Sequence, residues 1–103
     1  MLLTTTESIP GKVYDILGLV KGGTVQSKHI GKDIMSGFKN IVGGELTSYS
    51  EMMNEARALA TKRMVDEASA LGADAVVCVR YVSATVTTMA AEIVAYGTAV
   101  KYK

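Results

Sequence analysis

At 103 residues the chain has the length of one domain, and 49% hydrophobic residues exclude a disordered one. Eleven basic and ten acidic residues leave a formal charge of +1, so no strongly basic surface is available for nucleic acid. One cysteine excludes an internal disulfide and fits a reducing compartment.

The first residues, Met1-Leu2-Leu3-Thr4-Thr5-Thr6-Glu7, lack the basic and apolar regions of a signal peptide. No apolar run approaches the ~18 residues of a membrane helix. A single soluble, cytoplasmic domain over residues 1–103 is expected.

Leu2 to Thr6 is β-prone and reads as an edge strand, closed by an Ile9-Pro10-Gly11 turn. Lys12 to Gln26 alternates as one long strand or a hairpin. Val13, Leu17 and Leu19 are expected on one side and Tyr14, Ile16 and Val20 on the other. Gly18 and Gly22-Gly23 interrupt it, marking a bulge, a bend, or a close approach by another backbone.

Lys28 to Ile41 carries Ile30, Ile34, Phe38 and Ile41 at helical spacing and predicts a shorter helix stopped by Gly43-Gly44. A long helix is predicted from Ser48 to Leu71, opened by a Ser48-Tyr49-Ser50-Glu51 capping box and closed by Gly72. Met53, Ala56, Ala60, Met64 and Leu71 form its apolar side. Arg63 and Glu67 lie four apart within that side. They read either as an i, i+4 pair snorkelling at the edge of the packed stripe, or as a partly buried pair at a subunit contact or ligand pocket.

After the Gly72-Ala73-Asp74 turn, Ala75 to Tyr81 is a strand apolar on both sides, with Val77 and Val79 facing one way and Val76 and Cys78 the other. Ser83 to Ala91 reads as a turn or loop. Glu92 to Tyr102 alternates cleanly, with small residues (Ile93, Ala95, Gly97, Ala99) on one face and Val94, Tyr96, Val100 and Tyr102 on the other. The small face invites close approach by a helix, with Ala56 and Ala60 docked over Ala95 and Gly97.

These elements predict an α+β fold. An antiparallel or mixed sheet of four to five strands carries one long and one shorter helix on one face. Two helices leave the second face bare, and another copy of the chain is the simplest cover, which predicts a homo-oligomer.

Chemistry is sparse. A structural zinc site needs four ligands, commonly Cys and His at short spacing, and only Cys78 and His29 are available. Both are weak metal candidates. Cys78 among valines reads first as a small hydrophobe, and His29 as an ordinary surface or capping residue. A symmetric ring would present each once per chain and so multiply the ligand count. One histidine and one cysteine give no argued nucleophile set, and the glycines from Gly18 to Gly44 match neither phosphate-binding motif.

Gly43-Gly44-Glu45-Leu46 with Tyr49, Glu55-Ala56-Arg57, Ala60, Arg63-Met64, Glu67-Ala68, Gly72-Ala73-Asp74-Ala75 and Tyr96-Gly97-Thr98-Ala99-Val100 form one constellation. It resembles the YbjQ-like family of small bacterial and archaeal proteins, labelled heavy-metal-binding, over about Thr4 to Lys101. The resemblance implies a dodecin-like α+β subunit that assembles as a ring, a homopentamer, with strands meeting around a central barrel. Its metal label implies a divalent or heavy metal ion as ligand, yet this chain lacks the paired cysteines to receive one.

Three functions remain open from sequence. The first is a homo-oligomeric binding module holding a metal ion or small ligand at its axis or between subunits. The second is a structural scaffold with no small ligand. The third is an enzyme with an intersubunit site around Arg63 and Glu67, near Tyr81 and Tyr96. Neither a nucleic-acid nor a membrane partner is expected.

Overall fold

A computed structural model describes residues 1–27, 41–87 and 90–103. The elements are β1 (Leu2–Leu3), β2 (Tyr14–Ser27), α1 (Ile41–Ala70), β3 (Ala75–Thr87) and β4 (Ala90–Tyr102). The strands form a four-stranded mixed sheet in the order β1-β3-β4-β2. β1 runs parallel to β3, while β4 pairs antiparallel with both β3 and β2. The fold is α+β, with α1 packed on one sheet face. The shorter helix expected at Lys28–Ile41 lies outside the described residues except for Ile41, which is the first residue of α1.

The long helix starts at Ile41, seven residues before the predicted Ser48 cap. Gly43 and Gly44 do not stop a helix here; they sit in the first turn of one. The first N–H groups of a helix have no intrahelical acceptor, so the propensity cost of glycine there is easily absorbed. At 30 residues α1 spans ~45 Å. Its C-terminus matches the expectation. Gly72 adopts φ +81°, the Gly72 N–H donates to Ser69 O at 3.0 Å, and the Ala73 N–H donates to Ala68 O at 3.0 Å. This is a Schellman closure that satisfies two otherwise orphaned carbonyls.

The Ser83–Ala91 loop is also corrected. β3 continues to Thr87 and β4 begins at Ala90, so the Thr-, Ser- and Ala-rich stretch is mostly paired strand. Threonine is β-branched and favours strand backbone, and pairing with β4 outweighs the weak turn propensity of the serine.

One core lies between α1 and the sheet. Val20, Ala56, Ala60, Met64, Ala68, Val76, Val79, Ile93, Ala95 and Ala99 are buried together. Met52 is buried and Met53 is half-buried, whereas Leu71, placed on the apolar side from periodicity, is 50% exposed beyond the end of the helix. The small face of β4 meets α1 as expected at Ala95, but with Ala99 in place of Gly97, whose missing Cβ makes room for Val76 and Val77 of β3 instead. The closest approach falls elsewhere, on Gly22 of β2. A Cβ there would collide with Ala60 O, the Met64 nitrogen and Arg63 Cβ. A helix backbone therefore rests on a glycine, and α1 lies mainly over β2 and β4.

Three register shifts interrupt the pairing, one of them between Thr85 and Thr87 near the end of β3, and the other two break the alternation read from sequence. Between Ile16 and Gly18 the register of β2 shifts, so Ile16, opposite Val100, shares a face with Tyr14 and Leu19 rather than with Val20. In β3 the register shifts between Val77 and Arg80, and Cys78 takes φ +57°. Val76 and Val79 consequently both enter the helix-side core, while Val77 and Cys78 pack on the second face with Ala75, Val100, Ile9, Tyr14 and Tyr102. The missing side chain of Gly97 makes room for this bulge, since a Cβ there would lie 2.9 Å from Val77 O.

Candidate functional site

The docking of α1 on Gly22 places Arg63 and Glu67 over the outer edge of β2, the last strand of the sheet. Arg63 Nη1 donates to Gly23 O at 2.6 Å, and the Lys21 backbone N–H donates to Glu67 Oε1 at 3.3 Å. Four residues along a helix rise ~6 Å, and two residues along a strand advance ~6.8 Å. The i, i+4 spacing on α1 thus matches the Lys21-to-Gly23 step on β2. The cation meets a carbonyl and the carboxylate meets an N–H, so the helix side chains stand in for a neighbouring strand.

Arg63 and Glu67 are both exposed and form no ion pair with each other. Among the described residues the ion pairs are Lys62–Asp66 at 2.9 Å, Lys101–Asp74 at 3.6 Å and Lys103–Asp15 at 3.3 Å. Periodicity placed Arg63 and Glu67 beside the packed stripe. It gave no sign that their partners would be backbone groups of a strand forty or more positions away. The Gly22-Gly23 pair was the available signal, because it marked where another backbone comes close.

The second face divides into two parts. At the end where β3 begins, the segment after β1 folds over it, with Thr6 O accepting from the Cys78 N–H at 3.0 Å and the Tyr14 hydroxyl donating to Glu7 O. Farther along, helix and loop cover are both missing among the described residues. Leu19 is 68% exposed there, Val25 58% and Val82 51%, and Ile16, level with the start of β3, is itself 71% exposed on the outermost strand. By register Leu19 stands opposite Thr98, Val25 opposite Glu92 and Val82 opposite Val94, so all of them share this face.

Cys78 is half-buried, with Sγ 3.8 Å from Thr6 O. Tyr81 reaches Thr61 Oγ1 at 2.7 Å through its hydroxyl, and Tyr96 is half-buried on the second face opposite Lys21. His29 falls outside the described residues. Among the described residues, no three His, Cys, Asp or Glu side chains come together closely enough to hold a metal ion. The described part of the chain therefore does not fit a metal ion by itself. No helix among the described residues is long and apolar enough to cross a membrane.

This chain is similar to other whole proteins over its full length. It is 62% identical over 102 residues to a UPF0145 protein of Alkaliphilus metalliredigens, covering 99% of each. It is 60% identical over 104 residues to a UPF0145 protein of Clostridium perfringens, covering 100% of this chain and 98% of that one. A UPF0145 protein of the archaeon Methanosarcina acetivorans is 56% identical over 102 residues, covering 98% and 96%. Among solved structures, a DUF74-family protein of unknown function from Pediococcus pentosaceus superposes with a TM-score of 0.68 at 18% identity. It matches 100% of this chain and 98% of its own, which shows a shared fold. The model of the YbjQ family, described as "Putative heavy-metal-binding", matches residues 1–103, and the chain belongs to that family.

Proposed function

We propose that the chain is a homo-oligomeric binding module, in which copies bury the bare second face against one another and a small ligand is held where they meet. Exposed Ile16, Leu19, Val25 and Val82 on one face carry this reading, because large apolar side chains left in water on a small domain mark an interaction site, with Lys21 and Glu92 the charges set among them. A ring of five is the arrangement that the family resemblance favours. The family description supports a metal ion as the ligand class. Since the described residues of one subunit do not assemble a ligand set, such an ion would need donors from several copies, Cys78 being the thiol that each contributes.

A second reading, a scaffold that assembles without a small ligand, is favoured by one observation. Arg63 and Glu67 already engage the β2 backbone and so have less capacity for a substrate. Native mass spectrometry of untagged protein, with elemental analysis of the same sample, tests both. A defined oligomer with a reproducible excess mass is expected. A bare oligomer favours the scaffold, and a monomer overturns the assembly.

A further inference from the structure

We propose that residues 4–11 are a strap that opens as a unit while the rest of the fold stays closed, and that the Arg80 guanidinium is its latch. None of residues 1–13 is buried, so the chain before β2 is held with little apolar packing. Leu3 on the helix-side core and Ile9 on the second face are its half-buried apolar anchors. Four consecutive carbonyls do most of the holding. Thr4 O accepts the Val79 N–H at 2.9 Å, and Thr5 O accepts Arg80 Nη1 at 3.1 Å. Thr6 O accepts the Cys78 N–H at 3.0 Å, and Glu7 O accepts the Tyr14 hydroxyl. A segment tied down by exposed hydrogen bonds, with little buried apolar area, belongs to the low end of local stability. A turn bounds it, in which the Lys12 N–H donates to Ile9 O at 3.1 Å and Gly11 takes φ +78°.

The β3 bulge makes this attachment. In a regular strand successive N–H groups point to opposite edges. Cys78 and Val79 are consecutive, yet both their N–H groups reach the strap, because the left-handed Cys78 turns the chain. Arg80 then folds back over the bulge, where Nη1 also donates to Val79 O at 2.9 Å. One guanidinium thus ties the strap to the bulge. A charged donor makes a hydrogen bond roughly twice as strong as a neutral one, so this is the contact whose loss frees the strap most. Ala75, Val77 and Val100 are buried in the cluster on which Ile9 packs, with Cys78 beside them. Val100 pairs with the exposed Ile16, so lifting the strap joins this cluster to the bare apolar surface. The strap thereby sets how much of the second face a partner can reach.

The Cys78 thiol reports on opening. In the wild type it should react slowly with an aromatic disulfide, at a rate independent of chain concentration. Below the unfolding transition that rate should be nearly flat in urea, because opening a strap exposes little surface. Arg80→Ala should keep the wild-type far-UV circular dichroism and react about tenfold faster, the low end for losing a hydrogen bond to a charged group. Equal rates in the two proteins overturn the latch. A rate that climbs with urea as steeply as global unfolding overturns separate opening. A rate that falls as chain concentration rises assigns the cover to another copy and overturns the strap. Should Arg80→Ala not fold, hydrogen exchange on the wild type decides. The Cys78 and Val79 N–H groups should exchange far faster than those paired between β2 and β4, and exchange of both sets at one rate overturns the proposal.

Discussion

Arg63 reaches from the helix to the backbone of Gly23, its Nη1 2.6 Å from the carbonyl oxygen, and so closes a strand edge with a side chain. Glu67 does the complementary work one turn on, accepting the Lys21 N–H. Exposed edges are where strands of other molecules add, and proteins commonly block them. Here the blocking groups belong to the element that also forms the core.

Arg63→Ala should therefore cost about 1.5 kcal/mol in urea unfolding, the low end for a hydrogen bond to a charged group because Arg63 is exposed. Its more diagnostic effect is colloidal. Heated Arg63→Ala should scatter light well below the temperature at which the wild type does, because the β2 edge has lost its cap. Equal scattering from the two proteins would refute the capping role.

Gly22→Ala should be among the most damaging single methyl additions to the molecule. The added carbon meets helix backbone, which cannot rotate away. A cost of about 2–3 kcal/mol, or a Tm lowered by roughly 10–20 °C at fixed chain concentration, is expected. Thermal unfolding of Gly22→Ala within a degree or two of wild type would mean that α1 does not sit where it is described.

Gly72→Ala provides a contrast. No atom lies within 4 Å of the new methyl, so only the left-handed backbone is penalised, by about 1 kcal/mol. Gly72→Asn should recover part of that loss, since asparagine tolerates this conformation. A steric cause would instead make asparagine worse than alanine, and calorimetry of the pair separates the two.

Leu19→Lys tests the bare face. Leu19 is 68% exposed, so a charge there should leave the fold of one chain intact. It should nonetheless disperse the oligomer to monomers in light scattering. An assembly of unchanged mass would show that the second face is not what copies bury.

Cys78→Ala tests the metal reading. The untagged wild type should retain cadmium through gel filtration, in fixed proportion to chains, and Cys78→Ala should lose it, as measured by elemental analysis. Equal retention by both proteins would remove the thiol from the site.

The elements were largely legible in the sequence because their signals are local. Alternation marked β2 and β4, and Gly72 after Leu71 marked the helix end. The errors share a physical cause. Gly43-Gly44 and the Ser83–Ala91 stretch were read from propensities worth at most about 1 kcal/mol per residue, which tertiary pairing overrides. The Leu71 placement failed because helical periodicity was carried past the last turn. Arg63 and Glu67 stand out in the sequence as charges beside an apolar stripe. Their partners, Gly23 and Lys21, offer only backbone atoms, and no residue type announces which carbonyl will be left unpaired. The bare face was inferred from too few helices for the sheet, and Leu19, Val25 and Val82 are exposed there.

The bulges at Gly18 and Cys78 act as phase steps. Both lie within a few residues of each other along β4, opposite Ala99–Val100 and Gly97, so the sheet holds two domains of alternation joined at one seam. On either side of that seam β2 and β3 assign inside and outside by opposite parity of residue number, while β4 keeps one parity throughout. Deleting Asp15 would turn Tyr14 from the second face to the helix side, whereas deleting Leu17 would erase the step itself and leave Tyr14 and Ile16 facing as they do. Away from the bulges, insertions and deletions in the strands are thus costly unless they fall in compensating pairs. The whole-length matches to relatives as distant as an archaeal protein, 56% identical over 102 residues, are what such a constraint on chain length would produce.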